Sequence, residues 1–158
     1  MISSKNGLNR DNQQGRFRDI GWIVGFVDGE GCFSISIFKN KTTKSGLQVF
    51  PEFVVTQGEK SLNSLKFIEM FFGCGKIFIN HRKDNHNENL YRFCVRNIKD
   101  LSEKIIPFFE TNQLKTAKIK DFEAFKKVVF LMLNKEHLTQ KGFDKIIDIK
   151  QNLKTLRD

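Results

Sequence analysis

At 158 residues the chain is long enough to bury a core as one domain without disulfides or a structural metal. Its 27 Lys and Arg against 18 Asp and Glu give a net charge of +9, which suits a polyanionic partner. Cys32, Cys74 and Cys94 contain no CxxC pair, which excludes a zinc knuckle or disulfide framework, and the longest apolar run, 128–133, is too short to cross a bilayer.

The first eighteen residues are polar, lack the apolar stretch of a secretory signal and read as a frayed lead-in (1–18) to a single domain over 19–158. Asp19 is expected to cap a helix ending near Gly29 and Gly31, with Ile20, Ile23, Val24 and Val27 on one face. Gly21, Gly25 and Gly29 recur every four residues along one side of that helix. Each costs about 1 kcal/mol relative to Ala, a penalty that a closely approaching second backbone can offset.

Two strands are expected at 32–39 and 47–56 across a polar connection, followed by a helix at 61–72 that Gly73-Cys74-Gly75 stops. Strands at 76–82 and 90–96 come next, then a helix at 101–109 that Pro107 helps to end. Helices at 114–133 and 139–156 complete an αββαββααα order, one α+β domain. The 17 Phe are read mainly as core, since their rings need no hydrogen-bond partner.

The acids Asp28 and Glu30 stand at the end of the glycine-lined helix, where the macrodipole disfavours negative charge. A divalent cation at Glu30 would compensate. One carboxylate is too few for a full cage, but it suits Mg²⁺, which keeps waters and shares phosphate oxygens. In the four strands one set of alternating positions is apolar, and the other carries polar and basic groups suited to a DNA groove: Ser34, Ser36, Asn40, Gln48, Lys76, Asn80, Arg82, Arg92 and Arg96. Residues 32–100 carry 11 basic against 6 acidic side chains, an excess placed where the strands lie. His81, Asn85, His86 and Asn87 superficially suggest another nuclease motif, but without zinc pairs they read as loop residues.

The segment Ile23-Val24-Gly25-Phe26-Val27-Asp28-Gly29-Glu30-Gly31 resembles the motif of LAGLIDADG homing endonucleases, with Cys32-Phe33 leading into the expected strand. Phe53-Val54-Val55-Thr56-Gln57, the Phe72–Ile77 turn, the 114–122 segment and the stretch from His137 to Lys150 resemble further parts of that family in the same order. The resemblance implies an αββαββα fold with an antiparallel DNA-binding saddle and an additional C-terminal helix. It implies a homodimer, since there is one motif copy, packed through Gly21, Gly25 and Asp28. It also implies site-specific, metal-dependent cleavage of long pseudo-palindromic double-stranded DNA. In that reading Glu30 and the Gly29 carbonyl hold Mg²⁺, or Mn²⁺ or Ca²⁺, Gln57 orients water, and either Lys115 or Lys118 offsets charge. An RNA maturase acting on intron RNA, or a catalytically silent DNA-binding protein, is the alternative on the same fold. No membrane partner is expected, and the cysteines suit a reducing compartment such as an organelle or a prokaryotic cytoplasm.

Overall fold

The computed structural model describes residues 5–43, 46–81 and 88–155, with side chains described from residue 12 to residue 153 within those spans. A long helix α1 (Lys5–Glu30) leads into β1 (Gly31–Lys39) and β2 (Leu47–Gly58), followed by α2 (Leu62–Phe72), β3 (Lys76–Asn80) and β4 (Leu90–Val95). Then come α3 (Ile98–Asp100), a π-helical turn (Leu101–Ile105), α4 (Ile106–Thr111), α5 (Lys118–Leu133) and α6 (Gln140–Thr155). The strands form one antiparallel sheet in the order β1-β2-β4-β3. Mixed helices around an antiparallel sheet bear out the α+β expectation.

One sheet face carries the core. Phe33, Phe53, Val55, Phe93 and Val95 are buried there beneath Ile23 and Val27 of α1, Leu65 and Ile68 of α2, and Phe122 and Phe125 of α5. Phe33 stacks on Phe53 with ring centres 5.1 Å apart and meets Phe109 and Phe122 edge-on. Each such ring contributes about 1.5–3 kcal/mol by leaving water. The core reading of Phe does not extend to Phe17, Phe38, Phe78 and Phe130, which are exposed.

Several boundaries differ from the sequence reading. Helix α1 begins at Lys5, not Asp19. Residues 5–18 lack proline, so once the buried half of the helix is nucleated no residue breaks its N-terminal extension, although Gly7 and Gly15 weaken it. Pro107 does not end its helix, which continues to Thr111. The π turn just before it, in which the Ile106 N–H reaches the Leu101 carbonyl, widens the backbone where the ring must fit. Helix α5 begins at Lys118, not residue 114; the segment before it is tied to α1, whose Asp28 side chain accepts the backbone N–H groups of Lys115 and Thr116. Strand β3 stops at Asn80, and Arg82, Asn85, His86 and Asn87 lie outside the described residues.

Between α1 and β1 the chain turns in the space of one residue. A Cβ at Gly31 would lie 2.6 Å from Val27 Cγ1 and 2.8 Å from the Val27 carbonyl oxygen, so glycine is required there. The turn fixes where Gly29 and Glu30 emerge relative to the sheet. No helix among the described residues is long and apolar enough to cross a membrane.

Candidate active site

The last turn of α1, the 114–118 segment and the near ends of β1 and β2 converge. Asp28 reaches across to the start of α5: its carboxylate accepts the Lys115 N–H at 2.7 Å, the Thr116 N–H at 3.1 Å and the Thr116 hydroxyl at 2.5 Å. The same hydroxyl oxygen accepts the Lys118 N–H at 3.2 Å, one of the first-turn donors of α5 that have no acceptor within the helix. Burial raises the Asp28 pKa, but the Thr116 hydroxyl, the two backbone donors and the Lys118 charge outweigh it, and the carboxyl is held below its ordinary value.

The two candidate lysines are placed differently. Lys118 Nζ donates to the Val27 carbonyl at 2.9 Å and the Gly29 carbonyl at 3.3 Å, a cation set on carbonyls at a helix C-terminus. The Lys115 side chain is exposed, and its backbone is what engages Asp28. Glu30 is the last residue of α1 and is exposed, with a chain direction set by the Gly31 turn. Gln57 lies two residues beyond Val55, the partner of Gly31, so the register puts it at the α1 end of the sheet. It is half-buried opposite Tyr91 and shares the alternation of Phe53 and Val55, not that of the polar face.

A cation here would meet hard oxygen donors, the Glu30 carboxylate and the Gly29 carbonyl, whose second lone pair stays available beside Lys118. The donor types fit Mg²⁺ or Ca²⁺. Among the described residues there is no group of three or more His, Cys, Asp or Glu that could hold a metal.

The outer face of the sheet carries the polar set. Ser34 pairs with Glu52, Ser36 with Phe50 and Phe38 with Gln48, while Arg92 pairs with Thr56 and Phe78, Cys94 with Lys76, and Leu90 with Asn80. Ser36, Lys76 and Asn80 are exposed, and Ser34, Gln48 and Arg92 half-exposed. Asn40 is partly committed to its own turn: it donates to Gln48 Oε1 at 2.7 Å and accepts from the Thr42 N–H at 3.0 Å.

Arg92 and Arg96 are both bound to one acid. Glu52 Oε1 accepts from Arg92 at 3.0 Å, and Glu52 Oε2 accepts from Arg96 Nε. Arg96 also lies over the Phe78 ring, 4.9 Å from its centre, and over Phe50 at 5.5 Å. Sequence reasoning passed over Glu52. The available signal was one acid on the same strand face as two arginines spaced four apart on a nearby strand.

On the far side of α1, a Cβ at Gly21, Gly25 or Gly29 would meet nothing within 4 Å. The glycine stripe is therefore open in the single chain and needs no glycine for its own packing. Phe17, one helical turn before Gly21, is 71% exposed and extends the uncovered side.

The model of the LAGLIDADG endonuclease family matches residues 23–129. The chain is 36% identical to a probable intron-encoded endonuclease 2 of Neurospora crassa over 84% of its own length and 26% of that protein. It spans about a quarter of the length of the curated relatives it matches first. Among solved structures it is similar to the homing endonuclease I-TnaI, with a TM-score of 0.74 and 40% identity over 82% of this chain and 84% of that one. It is also similar to I-SmaMI bound to uncleaved DNA target in the presence of calcium ions, with a TM-score of 0.78 and 28% identity over 98% of this chain and 47% of that one. With the family model matching about two thirds of its length, the chain belongs to the LAGLIDADG endonuclease family.

Proposed function

We propose that this chain is a site-specific DNA endonuclease that works as a homodimer, with two α1 helices packed along Gly21, Gly25 and the Asp28 end. The observation that carries this reading is the joining of three things in one place: the open glycine stripe, the Glu30 end and the Lys118 ammonium. The polar sheet face beside them, with its exposed Lys76, Ser36 and Asn80, suits a major groove. The chain matches nearly the whole of I-TnaI but under half of I-SmaMI, which supports its being one of two units in a working molecule.

In this reading Glu30 and the Gly29 carbonyl hold a divalent cation, Mg²⁺ with Mn²⁺ or Ca²⁺ as substitutes. Such a cation, when bound, polarises a phosphate and makes nearby water more acidic. Lys118, anchored on the Val27 and Gly29 carbonyls, places a positive charge at the same point and offsets charge developing on the phosphate. This geometry favours Lys118 over Lys115 as the site lysine. Gln57, at the adjoining end of β2, orients water through its amide. Asp28 touches no reacting atom; it fixes the segment that carries Lys118. Two such sites, one from each chain, cut the two strands of a pseudo-palindromic duplex.

The test is incubation of the purified protein with a randomised duplex library in Mg²⁺ or in EDTA. Cuts on both strands that appear only with Mg²⁺ are expected. Sequence-selective binding without cutting would instead reveal a silent DNA-binding protein. Preference for intron RNA over duplex would reveal a maturase.

A further inference from the structure

Glu52 is the only buried polar or charged residue among those described, and it lies on the outer face of the sheet. Its side chain is 9% exposed, whereas those of Arg92 and Arg96 are 39% and 43% exposed. The carboxylate is therefore withdrawn, while both guanidinium groups reach solvent from a single anchor. Arg96 follows Val95, whose partner is Phe53, so it stands across from Glu52. Arg92 pairs with Thr56, and its side chain must run back along the sheet to reach the same acid. Between these two arginines lie Val54 and Cys94, which are buried at 5% and 3% even though they occupy the outer face. Burial and then the Glu52 charge raise the Cys94 thiol pKa, while both arginines act to lower it, which places the thiol within the field of all three charged groups.

Two guanidinium groups this close repel each other, and a flexible arginine loses rotamer freedom when it docks on a base. One carboxylate taking one N–H donor from each removes the repulsion and fixes both side chains in advance. Phe50 and Phe78 hold the Arg96 plane from its faces. Each arginine keeps further N–H groups, from the five a guanidinium carries, for a guanine edge.

We infer that Glu52 is a specificity-determining positioning residue: without touching DNA, it presets Arg92 and Arg96 as paired readers of bases in the major groove. This rests on the DNA-binding reading of the sheet. The target duplex would be read at positions whose selectivity depends jointly on three side chains, one of them acidic and hidden.

The experiment compares wild type, Glu52→Gln, Arg92→Ala, Arg96→Ala, the double arginine variant and the triple variant by selection from a randomised duplex library, with thermal melting and low-salt binding to a non-selected duplex alongside. Glu52→Gln keeps the shape and one oxygen acceptor but removes the charge. It should lower discrimination about tenfold, at the same positions that the two arginine variants relax. Its binding to the non-selected duplex should be equal or tighter, because two cations are released from their counter-charge. The triple variant should relax the profile no further than the arginine changes alone. Relaxation by Glu52→Gln at other positions would make Glu52 a base reader itself and overturn the inference. A lower melting point with an unaltered profile would make it a purely structural ion pair, with the same consequence. If wild type selects no sequence at all, the DNA-binding reading fails first.

Discussion

The Asp28 carboxylate and the Thr116 hydroxyl are 2.5 Å apart although 88 positions separate them in the chain. That bond, with the backbone donors beside it, makes the end of the glycine-lined helix and the start of α5 one unit. It also delivers Lys118 to the Gly29 carbonyl. Asp28→Asn should cost about 1–2 kcal/mol of folding stability, the loss expected of a helix cap that serves several donors. The sign of its pH dependence follows from the depressed pKa. Stability from the charged form is complete above the unfolded-state pKa and is lost as pH falls through the lower folded-state value. The gap between wild type and Asp28→Asn in denaturant melts should therefore close on acidification.

Two glycines, one inside α1 and one at the first position of β1, should respond in opposite ways. Gly25→Ala meets open space in the single chain, whereas Gly31→Ala would press on the Val27 backbone. Gly31→Ala should destabilise by about 1–3 kcal/mol, as overpacking does. Gly25→Ala should leave the fold intact or raise its stability by a few tenths to about 1 kcal/mol. Chemical denaturation of both variants below the dimerisation concentration checks the contrast.

A bulky residue at Gly25 probes the interface. Gly25→Leu should leave a folded chain and abolish dimers, because nothing inside the chain opposes the larger side chain. Sedimentation equilibrium reads the outcome. An unaltered dimer would move the interface elsewhere.

Much of this architecture was legible in the chain. Alternation in 32–39 and 90–96, glycine stops at 73–75 and helical spacing in 61–72 each report a local rule that the packed fold obeys. What was not legible depends on distant partners. Nothing near Leu114 announces that the segment after it is tied to Asp28 before the helix begins. Glu52 looks like a solvated strand residue until Arg92 and Arg96 are folded over it. Pro107 reads as a terminator because a preceding π turn leaves no compositional mark.

The two lysines should separate by activity. Lys118→Met should reduce strand cleavage by about a hundredfold, the scale of losing one electrostatic stabiliser. Lys115→Met should retain near wild-type cleavage, since its backbone N–H, not its side chain, holds Asp28. Melting curves taken in parallel separate lost chemistry from the stability that Lys118 adds at the end of α1.

In the proposed mechanism Glu30 is the residue on which metal-dependent cutting depends most directly. Glu30→Gln preserves shape but removes the charge that attracts a hard cation at an exposed helix end. The decisive measurement is a gel shift and a cleavage time course on the same selected duplex in Mg²⁺. Binding should persist, because it comes from the groove and phosphate contacts of the sheet, while cleavage should fall by at least about a hundredfold. Cutting by Glu30→Gln at the wild-type rate would contradict a metal site at the end of α1.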